Sequence, residues 1–225
     1  LVEQLKKEWP QINVDMQAQP LRDWQHEWKR HFKPLQLTSE IWVVPSWETI
    51  PTQAKKVISM EPGMAFGTGT HETTQLLAEL LSEAPANQPL IVLDVGTGTA
   101  VLAMLCVHLG VKCVVGIDID LEALRVAREN VEKNLMGEVV QISDLAIGQV
   151  KGSFDWIVAN IIDGVLLKLK PDFERLVAPG GHLFLSGILT ERLQSFTEEF
   201  LDAGDFSLVK HKVKGEWVAL HLVHQ

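Results

Sequence analysis

The chain has 225 residues, 46% of them apolar, which is enough for one sizeable α/β core plus an appendage. It has no run of about 18 uncharged apolar residues that could cross a membrane as a helix. Its net charge of −9 argues against a general nucleic-acid binder, which needs a basic face, and suits a cationic partner.

Cys106 and Cys113 make no disulfide framework and are expected as reduced core residues, in keeping with a cytoplasmic location. No metal-ligand spacing is present, and the tail histidines His221 and His224 are expected at the surface. The opening Leu1-Val2-Glu3-Gln4-Leu5-Lys6-Lys7 has neither the apolar stretch nor the cleavage site of a signal peptide. With no initiator Met, a processed or truncated piece is expected.

Leu1–Trp9 reads as a short amphipathic helix stopped by Pro10, and Asn13–Gln19 as a weakly alternating strand. Arg22–His31 reads as a helix with Trp24 and Trp28 one turn apart on a packing face. Leu35–Pro45 is extended, and Val57–Met60 is a strand. Five of the seven tryptophans fall before residue 48, marking a distinct packing unit.

A regular alternation begins at Leu90. Leu90–Leu93 is a strand ending in Asp94-Val95-Gly96, and a helix runs from Val101 to Leu109, closed by Gly110. Val111–Ile117 is a strand ending in Asp118, Leu121–Asn134 a helix, Val139–Ile142 a strand, and Phe154–Ala159 a strand ending in Asn160. A helical segment precedes Pro179-Gly180-Gly181, and His182–Ser186 is a strand. Glu191–Ala203 is a helix, and Phe206–Lys212 with Trp217–Val223 close the chain as an antiparallel pair. Such alternation predicts βαβ units and a mainly parallel α/β sheet, with the ligand site beyond the C-terminal strand ends. Asp94, Asp118, Asp144 and Asn160 all fall there.

The turn Gly96-Thr97-Gly98-Thr99-Ala100 lets backbone approach a ligand closely. A nicotinamide fingerprint wants a small residue at 101, which is Val101; the small residue comes one place earlier, at Ala100, the spacing expected of a methyltransferase. Asp118 stands about 20 residues on, where a carboxylate grips ribose hydroxyls. Asp120 is placed to cap the next helix. Asp94 either orients the loop or lies near a ligand amino group, and Asp144 either binds adenine or is a solvated turn residue.

The segment Met60-Glu61-Pro62-Gly63-Met64-Ala65-Phe66-Gly67-Thr68-Gly69-Thr70-His71-Glu72-Thr73-Thr74 closely resembles the one preceding the cofactor fold in bacterial ribosomal protein L-eleven methyltransferases. The resemblance continues through Asp94–Ala103, Val115–Asp120, Val158–Ile161, Pro179–Gly181, Ser186–Leu189 and Gly215–Val218. It covers Leu21 to the end, and Ala100 stands where the family usually has Gly. It implies a class I methyltransferase, a Rossmann-like seven-stranded mainly parallel sheet with an antiparallel C-terminal hairpin. The cofactor implied is S-adenosyl-L-methionine, and the substrate amino groups of a basic ribosomal protein.

Residues 1–20 would then be the end of an N-terminal recognition domain, 21–55 a linker helix and extended segment, and 56–225 the methyltransferase domain. Cofactor contacts are implied at Thr74, Gly96, Asp118 and Asn160; Gly98 joins them from the loop reading and Asp144 from its place after the third strand of the alternation, and Thr68–His71 would cover the cofactor's methionine end. A monomer with no direct nucleic-acid or membrane binding is expected. Methyl transfer to nitrogen needs a neutral, oriented amine. Asn160 is the candidate catalytic residue, its side-chain carbonyl aiming the amine; the alternative is a strand-end cap. His71 is either a base or a packed loop residue, and Glu61 a candidate to neutralise a cationic amine.

Overall fold

The computed structural model describes residues 5, 7–9, 11, 32–61, 67–84, 91–202 and 204–225. The elements expected over Leu1–Trp9, Asn13–Gln19 and Arg22–His31 lie outside the described residues, apart from helical Leu5, Lys7 and Glu8 and a bond from the Trp9 amide to the Leu5 carbonyl, 2.9 Å. Residues 62–66 of the long motif also lie outside them. The chain divides into two compact units, Leu1–Phe32 and Lys33–Gln225. The second carries all of the elements that follow.

A small sheet comes first. Strand β1 (Leu35–Gln36) pairs antiparallel with β2 (Ile41–Pro45), which pairs parallel with β3 (Lys56–Met60). The extended segment over 35–45 is thus two strands around a turn, where the Thr38 hydroxyl accepts from the amides of Glu40 and Ile41. Leu37, Ile41, Val43, Ile58 and Met60 are buried in the core of the same unit as the large sheet.

Helix α1 (Glu72–Ser82) has no counterpart in the sequence reading, which assigned nothing helical between Met60 and Leu90. Its signal is Leu76, Leu77, Leu80 and Leu81, all buried, the i, i+4 spacing of one helix face. That stripe begins within a loop-like Gly/Thr motif, which masks the helix start.

The large sheet contains β4 (Ile91–Val95), β5 (Cys113–Ile117), β6 (Val140–Ser143), β7 (Phe154–Asn160), β8 (Val177–Leu189), β9 (Phe206–Lys214) and β10 (Trp217–His224). Their order is β6-β5-β4-β7-β8-β10-β9, parallel from β6 to β8, with β10 antiparallel to both its neighbours. This is the seven-stranded, mainly parallel α/β sheet with a C-terminal hairpin that the sequence led us to expect. Strand β8 is longer than His182–Ser186 because it starts before Pro179-Gly180-Gly181.

Alternate residues of each strand feed opposite cores. Val92, Val114, Trp156, Val158, Phe184 and Ala219 pack with α1, α2 (Val101–His108), α3 (Leu121–Lys133) and the small sheet. Leu93, Ile157, Ala159, Leu185 and Leu220 pack with α4 (Asp163–Leu176) and α5 (Leu193–Leu201). A 3-10 turn, Thr190–Arg192, occupies the start of the helix expected from Glu191.

Three surface and core assignments change. His221 is only 5% exposed, because its position on β10 shares the inward face with Ala219; its ring stacks on Phe184 at 4.4 Å. His224 is half-buried, with Nδ1 3.0 Å from the Val177 carbonyl. Cys106 is buried, and burial pushes its thiol well above the usual range, whereas Cys113 is only half-buried. No described helix is long and apolar enough to cross a membrane.

Candidate active site

The chain winds outward from β4 in both directions, to β5 and β6 on one side and β7 and β8 on the other. The crevice beyond β4 is therefore a topological switch point. The loop after β4 is fixed there by main chain. The amides of Gly96 and Thr97 both donate to the Ile117 carbonyl, each at 2.9 Å. Gly96 has φ +70°, and a Cβ on it would meet the Ile161 side chain at 3.0 Å. A side chain at this position is thus both strained and crowded.

Asp118, just past β5, joins loop to strand. Its Oδ2 accepts from the Gly98 amide (2.9 Å) and its Oδ1 from the Asp120 amide (3.0 Å). A carboxylate has about four acceptor sites, so this aim leaves capacity for a diol. Asp120 caps α3 by accepting from the Glu122 amide at 2.9 Å, as its position predicts. Asp144 is exposed, one residue beyond Ser143, which pairs with Ile117; it thus follows β6 at the level where Asp118 follows β5.

Asp94 is 2% exposed and accepts from the Thr97 hydroxyl at 2.7 Å, so it orients the loop from below. Burial pushes its carboxyl up to about 6, against the opposing pull of the Thr97 hydroxyl and the Ala103 amide; neighbouring Asp118 adds to the rise. Ala100 is fully buried with φ +65°, a left-handed conformation at the start of α2.

Across the crevice, Asn160 ends β7. Its Nδ2 donates to the hydroxyl of fully buried Thr74, 3.2 Å, from 86 residues away in sequence. With Nδ2 so engaged, Oδ1 is the atom left to accept. His71 forms the N-cap of α1: Nδ1 accepts from the Thr73 amide (3.4 Å) and lies 2.8 Å from the Thr73 hydroxyl. Its ring meets Trp217 edge-on, centroids 5.2 Å apart. The Thr68 and Thr70 hydroxyls are 2.9 Å apart in the preceding loop.

His71, Thr73, Asn160, Ile161, Ile162, Gly187 and Trp217 line a cleft of about 330 Å³. Gly187 is essential to its shape. A Cβ there would sit 2.3 Å from the Ile161 carbonyl oxygen, and φ is +93°. Glu61, a candidate partner for a cationic amine, instead pairs with Lys133 at 2.6 Å and accepts from Ser46 at 2.9 Å. Among the described residues there is no group of three or more His, Cys, Asp or Glu placed to hold a metal ion.

The structure therefore brings Gly96, Gly98, Asp118, Thr74, Asn160 and His71 to one edge of the sheet. Sequence reasoning gave no role to Thr99, Asn130, Ile162, Gly187 or Trp217. Gly187 and Trp217 lie in segments that carry the family resemblance. Asn130, 3% exposed, signals itself only as a polar residue on the buried stripe of α3.

Known proteins match the chain and its fold. The family model for ribosomal protein L11 methyltransferase matches residues 1–225. The ribosomal protein L11 methyltransferase of Pelobacter propionicus is 41% identical over 203 residues, 88% of this chain and 65% of the relative. That of Streptococcus pyogenes serotype M49 is 40% identical over 213 residues, 93% of this chain and 66% of the relative. The chain thus spans slightly less than two thirds of these curated relatives. A crystal structure of ribosomal protein L11 methylase from Lactobacillus delbrueckii subsp. bulgaricus superposes with a TM-score of 0.78 at 33% identity, covering 86% of this chain and all of that one. A methyltransferase from Pyrococcus furiosus (TM-score 0.61, 21% identity, 74% of this chain and 88% of that one) shares the fold. The chain belongs to the ribosomal protein L11 methyltransferase family.

Proposed function

We propose that this chain transfers methyl groups from S-adenosyl-L-methionine to amino groups, on lysine side chains or an α-amine, of a basic ribosomal large-subunit protein. The observation that carries the reading is Asn160: Thr74 holds its amide, and it stands between the glycine loop and a largely apolar cleft.

The residues present fit the cofactor. Gly96 and Gly98 give a cradle without side chains, and Asp118 is an aimed acceptor for ribose hydroxyls. Asp144 lies on the adenine side; Thr68–His71 lie on the opposite side, toward the methionine end. S-adenosyl-L-methionine supplies an activated methyl group on a sulfonium centre, so the protein's task is positioning.

The cleft handles the amine. At pH 7 an ordinary lysine costs roughly 4–5 kcal/mol to deprotonate and an α-amine about 1. The apolar surface of Ile161, Ile162 and Trp217 lowers the polarity around an amine seated there, which favours the neutral form. Asn160 Oδ1 then accepts an amine N–H and turns the lone pair toward the cofactor loop. His71, fixed at Nδ1 by its cap, serves as a wall with Trp217.

The net charge of −9 suits a basic protein partner, and the free thiols suit the cytoplasm. Residues 56–225 carry the reaction, with residues 1–20 assigned to a recognition domain. The test is methyl transfer from labelled cofactor to purified ribosomal protein L11 and to amine-bearing peptides. Label on L11 amines is expected. Cofactor binding with no label on any amine would leave a binding module instead; NAD binding tighter than S-adenosyl-L-methionine would overturn the cofactor assignment.

A further inference from the structure

Thr99 is fully buried in the glycine loop, yet its hydroxyl and its carbonyl are both engaged outside that loop. Its hydroxyl donates to the Gly67 carbonyl at 2.6 Å, and its carbonyl accepts from Asn130 Nδ2 at 3.1 Å. Asn130 is in turn tied to α3's end, where Asn134 Nδ2 donates to the Asn130 carbonyl (2.7 Å). Asn134 also exchanges two bonds with Ser59 of β3, 2.8 Å and 2.7 Å. Thr99 thus links the glycine loop to a rigid frame on one side and to residues 67–71 on the other.

Residues 67–71 run from that bond to His71 in the cleft. Gln75 Nε2 donates to the Thr70 carbonyl (2.9 Å), and a Cβ on Gly69 would meet Leu35 and Val43, so the segment is fitted against α1 and the small sheet as well. Gly67 has φ +104°, and a Cβ on it would lie 3.0 Å from the Thr99 hydroxyl, a close approach between the two loops. The Thr99 hydroxyl thus supplies a direct side-chain hydrogen bond between the two loops.

We propose that Thr99 is a positioning residue that fastens residues 67–71 to the glycine loop, so that cofactor residence depends on its hydroxyl. This rests on the S-adenosyl-L-methionine reading above. Thr99→Val keeps the shape and removes the donor, leaving the Gly67 carbonyl without it. A single net hydrogen bond corresponds to a factor of about 2–12 in an equilibrium.

The test is calorimetric and stopped-flow binding of S-adenosyl-L-methionine to the purified chain, with hydrogen exchange of the cofactor-free protein. For Thr99→Val the expected results are a Kd about fivefold higher, a matching rise in dissociation rate, and faster exchange confined to the peptide over residues 67–75. Thr99→Ser, which keeps the hydroxyl, is expected to restore all three. Wild-type values in Thr99→Val, or a Thr99→Ser variant as weak as Thr99→Val, would overturn the proposal. Should Thr99→Val melt below the assay temperature, Thr99→Ser against Thr99→Ala poses the same contrast. Failure of the wild-type chain to bind the cofactor would instead sink the underlying functional reading.

Discussion

The two halves of the crevice are built differently. Beyond β4, β5 and β6, the glycine loop is held by main-chain bonds to Ile117 and by Asp118, all within about two dozen residues of sequence. Beyond β7, β8 and β10, the cleft is assembled from residues at positions 71, 73, 160, 161, 162, 187 and 217. A cofactor common to many enzymes can be met by backbone and one carboxylate, whereas an acceptor cleft needs shape, and shape comes from distant segments.

Within the cleft half, replacement of Gly187 should break the crevice most severely. In Gly187→Ala the new methyl would lie 2.3 Å from the Ile161 oxygen and 2.6 Å from its carbon, at φ +93°. Neither backbone segment can yield without moving Asn160 or β8. A loss of about 4 kcal/mol is expected, read as a fall of about 10 °C in Tm. A variant that melts within 3 °C of the parent by about would show that the strand end is softer than its packing implies.

The two regions also titrate with opposite sign. Burial pushes Asp94, under the glycine loop, from 3.8 up to about 6. Its contribution to stability is full below pH 4 and is lost as pH rises through 6. Burial, with His182 and Lys210 nearby, pushes His221 on β10 from 6.5 down to about 4. His221 lies 3.0 Å, Nε2 to Nδ1, from His182, which burial also lowers. The contribution of His221 is full above pH 6.5 and is lost as pH falls through 4. Each is worth about 3 kcal/mol, so between pH 4 and 6 they largely cancel. Because burial also lowers His108 and His182, the stability of the parent, read by denaturant titration, should climb with pH there. Asp94→Asn, which still accepts from Thr97, should make that climb steeper; His221→Phe should make it shallower. Parallel curves for all three proteins would refute the opposition.

Asn160 and Asp118 separate the halves functionally. Asn160→Ala is expected to lower kcat by about 10²-fold, since it removes an orienting acceptor. Asp118→Ala should act mainly on cofactor affinity, raising Kd by about tenfold through lost charge-assisted bonds. Single-turnover rates with saturating cofactor, set beside calorimetric Kd values, measure the split. Equal losses in both parameters for both variants would mean that the halves do not act separately.

The same contrast explains what could be read from sequence. The strands of the large sheet are continuous apolar runs ending in polar residues, and the loop declares itself by glycine spacing, so Gly96, Gly98 and Asp118 stand out as candidates from local pattern. Asn160 and Thr74 came from family resemblance; their bond spans 86 positions and leaves no local trace. Helix α1 was missed because its cap, His71, belongs to a loop-like motif. His221 was misplaced because a histidine near a chain end reads as surface, whereas strand alternation puts it beside Ala219, facing Phe184. Thr99, after the second glycine, carries no local sign of a partner; only folding shows its hydroxyl on Gly67.

Ala100 is the finest probe of the main-chain half. Its φ of +65° and ψ of +20° are left-handed, where alanine carries about 1 kcal/mol of strain that glycine escapes. Its methyl is fully buried, however, and that burial contributes up to about 0.8 kcal/mol. Glycine also gives the unfolded chain more freedom, costing a further 0.4–1 kcal/mol or about that. These effects nearly offset one another, so Ala100→Gly is expected to change stability by less than about 1 kcal/mol, on the side of loss. Equilibrium denaturation measures it. A clear gain would mean that strain dominates and that glycine is the better residue for the loop; a loss well beyond 1 kcal/mol or about that would mean that the methyl packs as a core group.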